Sequence, residues 1–310
     1  MSATQSPDAH TIQRWWDAPV PARRIELVRM ATFAYAAVWL VIRTGYFWDL
    51  AQMPARRFEP VGLLAGLGAP AGRSALMAVW AVGLVACAFT ASGRLVRATA
   101  PVGALAMLVL ATYSSSFGQV FHTEHLLVLH LLILAAWVVF DRPDRRATVS
   151  SWPLDLMAAV VVVTYVLAGI AKLRFSGIDW VTGDVLRNWV AADNLRKILV
   201  GDVHSPLGGW LAGVDWVWLP IAMLTLAVEL GAPFALLPGR IRYVWVGLAW
   251  AFHVGVLALM AILFPYQLVG VAYLAFLPVE RIEAKVLRWR QRRRAEASGA
   301  LSRVRPRSLS

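Results

Sequence analysis

Eight stretches of this sequence are almost wholly apolar: 27 to 43, 75 to 92, 98 to 116, 119 to 140, 156 to 174, 217 to 237, 241 to 262 and 265 to 278. Most are about as long as a helix that crosses a hydrocarbon core, roughly 20 residues at about 1.5 Å rise each. A lipid interior offers no water to backbone groups, so runs of this length rich in Leu, Ala and Val read as helices rather than barrel strands. The expected fold class is all-α, a polytopic membrane bundle of about eight transmembrane segments, the last short enough to be tilted or re-entrant. A water-soluble enzyme is excluded, because 59% of the 310 residues are hydrophobic and only 15% are charged.

The net charge of +12 is unevenly placed. Ten of the thirty Lys and Arg residues follow Glu280, directly after the last apolar run. Basic residues beside a membrane segment mark the cytoplasmic side and face anionic lipid, so the surplus points to a bilayer and not to nucleic acid. An even number of crossings then puts both termini in the cytoplasm, with Arg94, Arg97, Arg142, Arg145, Arg146, Arg240 and Arg242 in inner loops. The expected organisation is a cytoplasmic segment 1–23, a membrane domain 24–280 and a basic cytoplasmic tail 281–310, in the cell membrane. The polar start lacks a basic-then-apolar leader, so no cleaved signal peptide is expected. The single cysteine, Cys87, lies within an apolar run and reads as a small buried hydrophobe.

Two connections are long. The first, Gly45 to Arg73, mixes aromatics, prolines and glycines and is expected along the outer interface. The second, Ser176 to Asp215, is expected to form a short amphipathic helix near Asp184 to Val200, resting on the membrane surface. Trp15, Trp16, Trp48, Trp180, Trp210 and Trp218 fall near segment ends, where interfacial anchors sit. The sequence shows no internal repeat, no Gly-rich phosphate loop and no sign of broken helices.

Ionisable side chains at membrane depth are costly and normally face a bundle interior or a wet cavity. Here they are His122, Glu124, His125 and His130 on the fourth segment, Lys172 at the end of the fifth, Glu229 on the sixth and His253 on the seventh. At about 100° per residue, a helix from residue 119 places Gln119, His122, His125 and His130 within an arc of roughly 140°, with Glu124 on the other side. Two histidines three apart suit a metal, but a site needs a third ligand, and none stands nearby in sequence. A hydrogen-bonded network lining a cavity and purely structural interhelix bonds remain alternatives. Glu229 and His253 fall at similar depth on an antiparallel pair, where they could share a proton or merely pack.

Lys172 is unusual because only three of the thirty basic residues are lysine: Lys172, Lys197 and Lys285. Arginine cannot usefully lose its proton, whereas a desolvated lysine can become a base. The structural alternative is a lysine that snorkels to the interface and caps its own helix.

The blocks "FGQVFHTEHLLVLHLLILA", "YVLAGIAKLRFSGIDWVTGDVLRNW" and "VELGAPFALLPGRIRYVWVGLAWAFHVGVLALMAILFPY", in that order, resemble the horizontally transferred transmembrane (HTTM) domain family. That family includes the membrane part of the vitamin K-dependent gamma-carboxylase. The resemblance implies that Lys172 corresponds to the carboxylase's base for the vitamin K hydroquinone, and His125 to the histidine thought to support its carbanion chemistry. Only 30 residues follow position 280, with no counterpart to the carboxylase's large luminal region, so carboxylation of peptide glutamates is not expected.

Read as a site, Lys172, His125 and His122 carry the chemistry, and Gln119, Asp179, Trp180, Glu229 and His253 hold the substrate. The substrate class is lipophilic, a quinol or an isoprenoid, and a reduced quinone is the cofactor this chemistry suggests. Tyr165, Trp180 and Trp250 would be the aromatics an isoprenoid cation needs. A non-catalytic membrane partner or immunity-type protein, and a carrier using Glu229 and His253, are the alternatives.

Overall fold

The computed structural model describes residues 18–118, 122–141, 147–182 and 184–304. Its helices are α1 (Ala22–Ile42), α2 (Thr44–Leu50), α3 (Arg73–Ala91), α4 (Val96–Ser114), α5 (His125–Phe140), α6 (Trp152–Ser176) and α7 (Asp179–Thr182), followed by α8 (Val185–Leu199), α9 (Pro206–Leu211), α10 (Trp218–Leu230), α11 (Arg240–Met260), α12 (Pro265–Leu268) and α13 (Val279–Val304). Among the described residues the only sheet is a ribbon of two short strands, β1 (Pro19–Pro21) antiparallel to β2 (Thr148–Ser150). Trp15, Trp16, Gln119, Arg142, Arg145 and Arg146 lie outside the described residues.

The fold is all-α in its body. Among the described residues five helices, α1, α3, α4, α6 and α11, are long and apolar enough to cross a membrane, and α5 is a shorter apolar helix. They pack in a chain of neighbours: α1 on α3, α3 on α4, α4 on α5, α5 on α6, and α6 on α10. A 3-10 segment, Val271–Phe276, closes the arrangement by packing on both α1 and α6. Cys87 of α3 is fully buried against α4, where a Cβ on Gly103 would lie 3.0 Å from its sulfur.

Three expectations need correction. Among the described residues of the fourth segment the helix begins at His125: His122 to Glu124 form a turn in which the Thr123 hydroxyl donates to the Glu124 carboxylate. That turn takes His122 off the helix and so out of the polar helical face read above. The sixth segment is broken. α10 stops at Leu230, and Ala232–Leu236 continues as a 3-10 helix, because Pro233 offers no N–H and crowds the preceding turn. The eighth breaks likewise at Gly270, whose φ of 79° suits glycine, leaving α12 and Val271–Phe276 as two short pieces.

The break in the sixth segment leaves carbonyls that α11 satisfies. The Trp245 indole donates to the Val228 carbonyl at 2.9 Å, and Arg242 donates to those of Ala235 and Leu236, each at 3.1 Å. Nonhelical backbone at membrane depth requires such partners.

The long connection before α10 folds back onto the end of α11. Helix α8 is amphipathic as expected, but its buried residues are Val190, Asn194 and Lys197, two of them polar. Asn194 donates to the Leu259 carbonyl at 2.9 Å, the Lys197 amine to that of Met260, and the Ser205 hydroxyl to that of Ala258. The last turn of α11 thus has its free carbonyls capped by side chains. Gly208 makes this possible, because a Cβ there would lie 1.8 Å from the Leu259 oxygen. Burial works against the charge on Asp193, but Lys197 and Arg196 beside it hold the carboxyl below the usual range. Of the tryptophans expected as interfacial anchors, Trp48 and Trp210 are exposed, whereas Trp180 and Trp218 are buried in contacts.

Candidate functional site

The site grows from one face of α6. Tyr165, Gly169 and Lys172 are four and three residues apart, which stacks them along a single stripe. At Gly169 the absence of a side chain lets α10 approach closely: a Cβ would lie 2.7 Å from Leu230 Cδ2 and 3.1 Å from Glu229 Cβ. The approach brings the Glu229 carboxylate onto the Lys172 amine, which donates to Oε1 in an ion pair. Glu229 is 2% exposed and the Lys172 side chain 21%, so the amine lies at the edge of the buried carboxylate's pocket.

Trp180 completes this half. Its ring lies 5.2 Å from the Lys172 nitrogen, a cation–π contact, and its indole N–H donates to the Thr225 hydroxyl at 3.4 Å. Thr225 stands one turn before Glu229 on α10. Short α7 holds Trp180 in place, while Asp179, its first residue, is exposed.

The second half is a chain of hydroxyls and rings. His253 Nε2 lies 2.9 Å from the Tyr165 hydroxyl, which lies 2.6 Å from that of Tyr273. Tyr165 therefore joins α6 to α11 and to Val271–Phe276. Phe264 packs on His253 with ring centroids 4.8 Å apart and on His122 at 5.7 Å. Trp245 packs edge-on against Tyr165 at 5.0 Å. Two buried atoms of this layer, Glu229 Oε2 and His253 Nδ1, have no hydrogen-bond partner.

Glu229 thus bonds Lys172, and His253 bonds Tyr165; the two do not bond each other. His125 is exposed at the start of α5. His130, one face round, is fully buried between the Tyr266 hydroxyl at 2.7 Å and the Met157 carbonyl at 3.3 Å. Glu124 pairs with Arg43 at 3.1 Å, whose guanidinium stacks on Tyr46. Trp250 is largely exposed and donates to the Leu268 carbonyl. Gln119 lies outside the described residues. Among the described residues no group of three His, Cys, Asp or Glu side chains could hold a metal ion. An open apolar groove of about 430 Å³ between α3 and α4, lined by Ala81, Val85, Ala98 and Val102, carries no ionisable group and reads as a lipid-facing crevice.

The sequence reading did not single out Gly169, Thr225, Phe264 or Tyr273. Thr225 had a signal, its spacing of four from Glu229. Tyr273 reaches the layer through the break at Gly270, and Phe264 from the connection between α11 and α12.

These features define a class: a multi-helix membrane protein in whose apolar bundle a lysine–glutamate pair and a histidine–tyrosine pair lie side by side on one helix face. A family model described as the HTTM domain matches residues 125–280, half of the chain, which holds α5 to α12 and every side chain of the layer. The chain belongs to the HTTM domain family. No curated protein and no solved structure matches it.

Proposed function

We propose that this protein is a membrane enzyme acting on a lipophilic, hydroxyl-bearing substrate, a quinol or an isoprenoid, with Lys172 as its base. The observation that carries this reading is the Lys172–Glu229 pair, a carboxylate almost wholly buried in an apolar bundle with an aromatic ring over its partner amine. Burying an ion pair is rarely a route to stability, since desolvation offsets the attraction. Its presence in this bundle is better explained by chemistry.

Lys172 and Glu229 act here as one unit that holds a single proton between them. With that proton on the carboxyl, the amine is free to take another from a substrate hydroxyl within hydrogen-bond reach. The proton leaves the substrate oxygen and ends on Nζ, and no electron changes hands in this step. Glu229 Oε2 and His253 Nδ1 offer polar substrate groups an acceptor and a further partner, since buried polar atoms are nearly always bonded. Trp180 and Tyr165 supply ring faces for a quinol or an isoprenoid. His122 touches this layer through Phe264 and takes a supporting role, with His125 beside it.

In this reading the chain crosses the cell membrane about eight times, counting α5, α10 with its 3-10 continuation, and the α12 region beside the five long helices. Both termini are cytoplasmic, and residues 24–280 form one membrane domain. Support comes from α1, which packs on α5 and on Val271–Phe276, joining the first helices to the matched region.

Mass spectrometry of small lipophilic molecules that copurify in mild detergent tests the proposal, with Lys172→Met as reference. A quinone or isoprenoid enriched only with wild type supports it; bulk phospholipid alone in both samples counts against it. A non-catalytic membrane partner is the competing reading, favoured by the fact that Lys172 already has a partner. It requires Lys172→Arg to retain function, which the enzyme reading forbids.

A further inference from the structure

Helix α13 starts as part of the bundle and then leaves it. In its first turns Glu280 accepts two hydrogen bonds from Arg24, at 2.8 and 2.7 Å, and Glu283 accepts from Arg23 at 2.9 Å and through a second nitrogen. These pairs tie the helix to the first turn of α1, at one end of a membrane-length helix. From Lys285 to Arg293 every side chain is exposed.

The exposed part has two faces. At about 100° per residue, Ile282, Val286, Trp289 and Arg293 fall on one stripe, with Lys285 and Arg292 along one flank and Arg290 along the other. Ile282, Val286 and Trp289 are 49%, 42% and 57% exposed, and the Arg293 guanidinium lies 5.2 Å from the Trp289 ring. The segment "KVLRWRQRR" carries five cations and no acid. Leu287 and Gln291 point the opposite way.

We propose that this stripe is a docking surface for anionic phospholipid at the membrane face where α1 begins, with α13 lying along that face as a strap. Cations flanking an apolar stripe with a tryptophan match the depth profile of a bilayer interface, where aliphatic and ring carbons enter the acyl boundary and arginines meet headgroup phosphates. A lipid surface is favoured over nucleic acid or an acidic protein because the helix is tethered to the end of a membrane-length helix, and because phosphate contacts alone leave the apolar stripe unused.

The test uses the full chain in nanodiscs of phosphatidylcholine alone or with about one-third phosphatidylglycerol, a composition that gives a strongly anionic surface. A polarity-sensitive dye is placed on Val286→Cys or, as the opposite-face control, on Leu287→Cys; Cys87 is buried and does not compete for it. The expected result is a blue-shifted signal at 286 with the anionic lipid, about tenfold weaker in phosphatidylcholine, and a water-like signal at 287 in both. Replacing Arg288, Arg290, Arg292 and Arg293 by Gln abolishes the shift. Equal signals in the two lipids, a shift that survives loss of the arginines, or one that appears only on adding nucleic acid or acidic protein overturns the proposal.

Discussion

Lys172–Glu229 and Arg24–Glu280 are both ion pairs between helices distant in sequence, yet they lie in different media. In the first, the carboxylate is 2% exposed and is reached by one amine. In the second, a guanidinium forks onto the carboxylate at the bundle's edge, with side chains 21% and 13% exposed. Geometry favours the second, but the medium makes the first far more consequential. Near water a broken pair is re-solvated and little is lost, whereas in the bundle the surviving charge has nowhere to go. An ion pair's importance is therefore set by what replaces it when it breaks.

Removing one partner at each site separates the two ion pairs most directly. Lys172→Met leaves the buried Glu229 carboxylate alone and is expected to cost about 3–5 kcal/mol of stability, read as a lower unfolding temperature in detergent. Removing both partners with Lys172→Met and Glu229→Leu together is expected to recover most of that loss; no recovery would mean that the pair itself holds the bundle. A Cβ at Gly169 presses on Leu230 and Glu229, so Gly169→Val is expected to cost about 1–3 kcal/mol by the same thermal assay while leaving the Arg24 pair intact. Ser205→Ala removes a donor to the Ala258 carbonyl and is expected to cost about 1–3 kcal/mol, less if water can reach the end of α11. Glu280→Gln stands at the bottom of the scale, about 1 kcal/mol or less.

Acid sharpens the contrast from the other side. The bonds from Arg24 hold the Glu280 carboxyl below its ordinary value of 4.5, against a smaller opposing effect of burial, and Arg23 does the same for Glu283. A lowered value means stabilisation that is present above pH 4.5 and is lost as pH falls through the folded values beneath it. The first turns of α13 are therefore expected to loosen from α1 in that window, seen as greater mobility of a spin label at position 284. A tether unchanged through the same window would show that packing, not charge, holds it.

Much of the architecture was legible because apolar run length is a local property. The positions of α1, α3, α4, α6 and α11 follow from it, as does the amphipathic character of α8. The breaks were written in the sequence too, at Gly231 with Pro233 and at Gly270, but continuous apolarity on either side concealed them. Pairing was not legible in this way. Lys172 and Glu229 are 57 residues apart, and nothing local in either helix names the other. Trp180 shows the same limit: its place in the sequence reads both as an interfacial anchor and as a substrate-holding ring, and only the fold turns that ring onto the Lys172 amine.

The break in the sixth segment has a mechanical consequence. Because Trp245 and Arg242 hold the carbonyls that the broken helix leaves open, α10 and α11 cannot part without stranding them in an apolar surrounding. The two behave as a single lever, with α6 the member that bears against it. A backbone movement that parts Lys172 from Glu229 is then a displacement of α6 against that joined pair, at the close approach the bare backbone of Gly169 allows.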